Sequence, residues 1–179
     1  MTRPSFLSNA SISTLRSLLG RSIHTIFAPR LEVAGAHLAA PRLAMLISKD
    51  VFVNFHCEWS ETPRFLNDSW LITVSEADNP HGIEKNESGA LLAPCTISMY
   101  HAKPIRKIEI FDYQYSEDEP PEEAVHYDRA IVFSCDEGRS FCIACMINGP
   151  GISEYLHFSE DARVIQEMIC ESKSRLILN

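Results

Sequence analysis

Two cysteines three residues apart are the first feature of this sequence that resembles a chemical motif. Cys142 and Cys145 form a C-x-x-C pair in a chain with six cysteines and seven histidines. Zinc sites with this spacing usually need a second ligand pair, and redox pairs lie on turns or helix starts. Residues 140–147 instead alternate like a β-strand, which puts the two thiols on opposite faces. The sequence therefore predicts buried core thiols and no metal or cofactor.

The other four cysteines are isolated and form no zinc pattern. Cys135 ends the strand before the next turn and could lie near Cys142, so a disulfide is conceivable in an oxidising compartment. A secretory signal is not recognised, because the continuous apolar segment and the small-residue cleavage site are missing. We therefore expect reduced thiols and a cytoplasmic location.

Common catalytic motifs are absent from the sequence, including G-x-S-x-G, H-E-x-x-H and the phosphate-binding loops. An enzyme would need a site assembled from scattered residues. The candidates are three histidines and two acids: His56, Glu58, His101, His126 and Asp128. Such a site would be a concave pocket where two of these residues meet with perturbed pKa values. The alternative is that the histidines are surface or strand-edge residues.

Charge is distributed unevenly along the chain. Residues 1–50 hold six basic and two acidic residues, a charge of +4, whereas residues 51–179 hold ten basic and 22 acidic residues, a charge of -12. An acidic body repels phosphate backbones, so we expect no nucleic-acid partner. It suits a basic protein partner, and solubility alone is the alternative explanation.

The acidic residues are concentrated in "SEDEPPEEAVHYD". From Glu109 to Asp128 there are eight acids and no Lys or Arg, with Pro120-Pro121 between them. This composition predicts a solvated loop, and aromatic residues beside charge are typical of interfaces. The predicted binding surface consists of two tyrosines and five acids: Tyr113, Tyr115, Glu117, Asp118, Glu119, Glu122 and Glu123. Sheet packing is the alternative for the tyrosines, and calcium-loop spacing is absent.

These observations favour a non-enzymatic protein-binding module. One concrete version is a bacterial toxin-neutralising immunity protein, which is typically small, acidic and β-rich and covers a basic toxin. That comparison rests on small size, acidity and predicted β content, and no sequence motif supports it. The alternatives are the enzyme with scattered residues and a carrier that encloses a small ligand between sheets. No membrane partner is expected, because no apolar run approaches the ~18 to 20 residues of a membrane span.

The length of 179 residues and the 45% hydrophobic content predict a single α+β domain. Its body, residues 21–158, is predicted to be predominantly antiparallel β-sheet, as one sheet, a sandwich or a half-open barrel. Exposed loops are predicted at 76–90 and 116–128. A change of apolar phase in "IRKIEIFDYQY" predicts either a β-bulge or a strand that is apolar on both faces.

Two β-hairpins are predicted within this body. The first joins "RLAMLIS" to "VFVNFHCEW" through Lys49-Asp50, and the second strand is expected to be central in its sheet. The other joins "RAIVFSC" to "SFCIACMI" through "DEGR", with Gly138 suited to positive φ.

Helices are predicted at both ends of the domain. In the N-terminal arm, residues 1–20, Ser13 to Leu19 should form a helix with Gly20 as its C-cap, and the alternative is a transit peptide. The C-terminal helix is predicted over 159–172, with Ser159 as its N-cap. Its expected apolar face consists of Ala162, Ile165, Met168 and Ile169.

Overall fold

The structure, a computed structural model, describes residues 5–61, 68–99, 102–115, 125–145 and 155–179. It is a mostly antiparallel β-structure with two short helices, Asn9–Arg16 (α1) and Ala162–Met168 (α2). The strands in chain order are β1 Thr25–Ala28, β2 Glu32–Ala34, β3 His37–Ala40, β4 Arg42–Ser48, β5 Val51–Glu61, β6 Asp68–Ala77, β7 Cys95–Ser98, β8 Ile105–Tyr115, β9 Val125–Cys135, β10 Ser140–Cys145, β11 Leu156–Ser159 and β12 Ser172–Leu178.

The strands form two open sheets. One has five strands in the order β6-β5-β4-β1-β7, and the other has seven in the order β12-β8-β9-β10-β11-β3-β2. Neighbouring strands are antiparallel in both sheets. Of the arrangements that the sequence left open, the structure shows a sandwich, because the inner faces of the two sheets share one apolar core.

Aromatic side chains from both sheets meet in this core. The ring centres of Phe55 on β5 and Phe133 on β9 are 6.2 Å apart, and Phe141 on β10 stacks on Phe133 at 4.5 Å. All three side chains are buried. Since side chains alternate along a strand, the residues next to these core positions on β5 and β9 face away from the core.

The C-terminal helix is shorter than predicted. Its N-cap is Asp161, whose side chain accepts the backbone N–H groups of Arg163 and Val164, while the predicted cap Ser159 is the last residue of β11. Val164 takes the buried position expected for Ala162, which is exposed. The helix covers the outer face of the seven-stranded sheet, on which its buried residues Val164, Ile165 and Met168 pack.

The prediction that this helix extends to residue 172 is wrong, because a further strand begins there. Glu171 has φ +64°, a left-handed conformation that ends helical geometry, and β12 then pairs with β8 at the edge of the seven-stranded sheet. The alternation of apolar and polar residues in "SKSRLIL" is weak, and Leu178 is the one buried residue of this strand. The conformation of β12 is therefore decided by its pairing with β8, which no local sequence pattern predicts.

The N-terminal helix lies a few residues earlier than predicted, over Asn9–Arg16. Ser8 is its N-cap and accepts the backbone N–H of Ser11. The Ser11 hydroxyl donates to the carbonyl of Val74 at 2.9 Å, so α1 covers edge strand β6. Leu15 in this helix and Leu18 just after it are fully buried in the core, as expected of a helix that belongs to the domain.

Both predicted hairpins and the predicted bulge are confirmed. Strand β5 lies between β4 and β6 and is therefore central, and the turn after β9 has Glu137 and Gly138 at positive φ. The register of β8 against β9 shifts between Phe111 and Asp112. The predicted loop 116–128 is too long, because β9 already begins at Val125.

Candidate functional site

Cys142 and Cys145 lie on opposite faces of β10, as predicted. Cys142 is buried beneath α2, whereas Cys145 faces the core between the sheets. Burial raises the pKa of the Cys142 thiol to about 12, which keeps it protonated and a poor nucleophile. Cys142 is paired with Val132, so the suggested contact with Cys135 is wrong. Among the residues that the structure describes, no group of three or more His, Cys, Asp or Glu is arranged to hold a metal ion.

The predicted binding surface lies at the end of the β8–β9 hairpin. Tyr113 is half-buried, with the Arg129 guanidinium 4.8 Å from its ring centre and the Tyr127 ring at 5.8 Å, so it packs on the sheet. Tyr115 and Val125 form the last pair of the hairpin. The Tyr115 side chain and the five acids lie outside the described residues: Glu117, Asp118, Glu119, Glu122 and Glu123.

Asp128 lies near the turn end of this hairpin, and its carboxylate is compensated inside the protein. It is 1% exposed and forms a bidentate ion pair with Arg175, with both N–O distances 2.6 Å. It also accepts the backbone N–H of Leu7 at 2.7 Å. The Arg175 guanidinium lies 4.3 Å from the centre of the Phe6 ring. The carboxylate thus joins the N-terminal stretch and β12 to β9.

His126 has partners of its own near the turn end of this hairpin. Its Nε2 contacts the carboxylate of Asp112, and the Phe6 ring meets its ring edge-on at 4.8 Å between centres. His126 and Asp128, two of the proposed enzyme residues, therefore have different partners and form no joint site. A third candidate, His101, lies outside the described residues.

The remaining two candidates, His56 and Glu58, do meet. Both lie on the outer face of the five-stranded sheet, and Glu58 Oε1 is 2.8 Å from His56 Nε2. His56 is paired with Arg42 on β4 and with Thr73 on β6. Three polar side chains therefore form one row across three neighbouring strands, because directly paired residues project to the same face.

The Thr73 hydroxyl lies close to both nitrogens of the His56 ring. Its Oγ1 is 2.6 Å from Nδ1 and 2.8 Å from Nε2. With the imidazole proton on Nε2, Nδ1 is the nitrogen that accepts a hydrogen bond and Nε2 donates to Glu58. Hydroxyl, imidazole and carboxylate are the groups that activate a nucleophile in acyl transfer, but here the hydroxyl is near both ring nitrogens rather than in line with one.

A segment after β6 lies over the same row. Asn54 on β5 is fully buried; its Oδ1 accepts the backbone N–H of His81 at 2.7 Å and its Nδ2 donates to the carbonyl of Asn79 at 3.1 Å. The rings of His81 and His56 are 6.2 Å apart. Burial and the nearby His56 and Arg42 lower the pKa of His81.

Arg42, His56, Glu58 and Gly82, the residue after His81, border a cleft of about 590 Å³. Its lining consists of Pro29, Pro41, Arg42, His56, Cys57, Glu58 and Gly82. It opens on the outer face of the five-stranded sheet rather than into the core between the sheets, where a carrier would hold its ligand. The size is ordinary for a small-molecule site.

Sequence reasoning named His56 and Glu58 but missed three neighbours: Arg42, Thr73 and His81. A signal for the first two was present, because each is a polar residue in the outward phase of an alternating strand. The strand register that aligns them is set by two hairpins, and only one of those was predicted. The position of His81 depends on Asn54, which reads as an ordinary strand residue.

Comparison with known proteins gives no match to a family model, to a curated protein or to a solved structure. Within the described residues, no helix is long and apolar enough to cross a membrane. The geometry of the chain is therefore the basis for the functional proposals below.

Proposed function

We propose that the protein is a binding module for a basic protein, which it contacts through an acidic surface. This surface comprises the two tyrosines and five acids predicted from the sequence: Tyr113, Tyr115, Glu117, Asp118, Glu119, Glu122 and Glu123. The observation that carries the proposal is the concentration of five carboxylates, with no Lys, Arg or His, in the connection 116–124 between paired strands. Negative charge concentrated at one end accelerates and orients association with a positive partner.

The acids near the turn end of the hairpin support this assignment indirectly. Asp112 contacts His126 and Asp128 binds Arg175, so both carboxylates already have partners within the protein. We therefore expect the connection 116–124, rather than the sheet below it, to supply the negative charge at this end. Tyr113 gives the surface a rigid aromatic border because Arg129 and Tyr127 hold its ring.

The kind of partner follows from charge. A toxin whose active site is rich in Lys and Arg, such as one that cleaves nucleic acid, would be neutralised by a surface that competes with phosphate. The proposed class is accordingly a toxin-neutralising immunity protein. An acidic protein with a net charge of -8 suits that role and would itself repel nucleic acid.

The test is affinity purification from the native host with the wild-type protein and with a variant that replaces the five acids by Gln or Asn. We expect one basic protein to be recovered with the wild type in near-equal amount and to be released at high salt, because screening weakens charge pairing. The variant should lose this partner. Isothermal titration with the recovered protein then gives the affinity and its salt dependence.

A second variant provides the matched control for the change in net charge. It replaces five other exposed acids by Gln: Glu76, Glu84, Glu87, Glu160 and Glu171. Retained binding with this control, together with loss in the first variant, assigns the interaction to the connection 116–124. Equal affinity in all three proteins would exclude this surface as the binding site.

An enzyme is the second candidate function, and the chain from Thr73 through His56 to Glu58 favours it. His56 would accept the hydroxyl proton as Thr73 attacks the acyl carbon of an ester, and Glu58 would stabilise the imidazolium that results. The imidazolium would return the proton to the alcohol that leaves as the ester C–O bond breaks, and water would then hydrolyse the acyl-Thr73 by the same route. Hydrolysis of an activated acetate ester by the wild type, and its loss in Thr73→Val, would support this candidate. Equal rates in wild type, Thr73→Val and His56→Gln would exclude it.

A further inference from the structure

Two basic side chains, Arg42 in the lining of the cleft and His81 next to its lining residue Gly82, have no hydrogen-bond or ion-pair partner within the described part of the chain. Arg42 is exposed and makes no ion pair or side-chain hydrogen bond there, and the ring nitrogens of His81 have none either. Arg106 and Arg175, in contrast, each hold a carboxylate with two nitrogens. The donors of Arg42 therefore remain available for a ligand.

The two groups are held close together by the segment that crosses the cleft. Gly82, which follows His81, has φ +78°, and a Cβ built on it would lie 3.1 Å from Arg42 Nη1. The guanidinium thus packs against the bare glycine backbone. Asn54 fixes the same segment through its two hydrogen bonds to Asn79 and His81. Because Asn54 is fully buried, this arrangement is built into the sheet rather than left to a loose surface side chain.

The groups that influence His81 are basic although the protein is acidic. Burial, and then the neighbouring His56 and Arg42, lower the pKa of His81. The one carboxylate that lines the cleft, Glu58, is directed to His56 Nε2 at 2.8 Å. A negatively charged ligand group near Arg42 and His81 would balance positive charge that no described protein group balances.

We propose that the cleft binds a small organic oxyanion, a carboxylate or phosphate, through Arg42 and His81. The rest of the ligand would lie against Pro29 and Pro41, which form the apolar wall of the cleft. This inference goes beyond the proposed protein binding, because it uses no residue of the connection 116–124. It also does not require turnover at Thr73, since binding and hydrolysis are separate properties of the cleft.

The pH dependence of binding follows from the groups that surround His81. These are Arg42 on β4 and His56 on β5, and His56 in turn contacts Glu58. An anion stabilises the protonated imidazole, so binding raises the pKa of His81 and is strengthened as pH falls. His81→Gln should remove this dependence while it leaves the contribution of Arg42 in place.

The experiment is an NMR titration of backbone amides and histidine side chains with two probes, inorganic phosphate and succinate, at constant ionic strength. We expect saturable shifts at His81 and Gly82 with at least one probe. Arg42→Gln should weaken binding by about tenfold or more, since it removes a charged donor pair. The control Arg163→Gln removes the same charge from an 89%-exposed side chain of α2 and should change affinity by less than about twofold.

Each outcome has a definite meaning. Saturation by phosphate alone or by succinate alone identifies the ligand group. A lack of saturation with both, or equal weakening by Arg42→Gln and Arg163→Gln, would overturn the proposal. Gly82→Ala is a second variant that should weaken binding, because the added Cβ displaces the guanidinium. The five-acid variant should bind the probe at least as well as the wild type, so failure of the protein-binding proposal is seen separately.

Discussion

Asp128 carries its negative charge at a position with 1% exposure, and groups from two distant parts of the chain compensate it. Arg175 lies 47 residues later in sequence and Leu7 lies 121 residues earlier. A buried carboxylate without such partners would be strongly unfavourable. From sequence, this acid looked like one more member of a solvated acidic loop, because nothing local reveals an ion pair with so distant an arginine.

Removal of Arg175 should therefore destabilise the protein strongly. For Arg175→Met we expect a loss of about 3 to 5 kcal/mol in the free energy of unfolding, the range for a buried pair that loses one partner. Urea denaturation measures the loss. Arg163→Met, which breaks an exposed ion pair in α2, is the control and should change stability little. Equal losses in the two variants would show that the Asp128 pair is not a stability determinant.

A second prediction at this scale concerns His157, which is fully buried on β11 and lies 4.6 Å from the His37 ring. Burial, with a smaller contribution from His37, lowers the pKa of His157 to about 4. In the unfolded chain His157 therefore takes up a proton near pH 6.5, whereas in the folded protein it stays neutral down to about pH 4. Stability is lost as the pH falls from about 6.5 to about 4, by roughly 3 kcal/mol at 1.36 kcal/mol per pKa unit.

The measurement is urea denaturation across this pH range. His157→Gln should flatten the dependence, because Gln does not titrate, even if the variant is less stable at neutral pH. His24→Gln is the control, because His24 is not part of the contact between the His37 and His157 rings. An unchanged slope in His157→Gln would assign the acid sensitivity to other groups.

Among the elements, those with a local pattern were predictable and those fixed by distant pairing were not. Alternation and turn residues predicted the hairpin of β4 with β5 and that of β9 with β10, and the phase change in β8 predicted its bulge. Strand β12 was missed because its conformation depends on pairing with β8. The polar row of the candidate site was missed for a related reason: its members come from three strands, and only their register aligns them.

The segment that crosses the cleft should depend on a single side chain of β5. Asn54→Val removes both hydrogen bonds to this segment, at a cost of about 1 to 3 kcal/mol for the buried groups that lose a partner. We expect faster hydrogen exchange at the His81 amide and weaker binding of the anion probe. The control is Asn86→Ala, in which an exposed turn loses its side-chain acceptor. Protection of His81 that is unchanged in Asn54→Val would contradict this role.

For the whole molecule, the two sheets should unfold together because they share one core. Phe133 contacts Phe55 across the interface and stacks on Phe141. Phe133→Ala should lower stability by about 3 to 5 kcal/mol, the cost of removing a large buried ring. Tryptophan fluorescence follows the five-stranded sheet, which carries Trp70, and far-UV circular dichroism follows both sheets.

Coincident denaturation curves from the two probes are expected for the wild type and for Phe133→Ala. The control Val33→Ala changes a side chain that is 80% exposed and should leave both curves in place. Separate midpoints for fluorescence and circular dichroism would show that the sheets are independent units.

The ion pair of Asp128 with Arg175 also sets an order of events during protein synthesis. When the β8–β9 hairpin leaves the ribosome, Arg175 is still 47 residues away from Asp128 and has not emerged from the exit tunnel. The carboxylate therefore stays hydrated at that point, and the turn end of the hairpin cannot reach its final burial. We infer that the nascent chain remains incompletely folded at this end until β12 is released, which leaves an interval in which a chaperone could bind it.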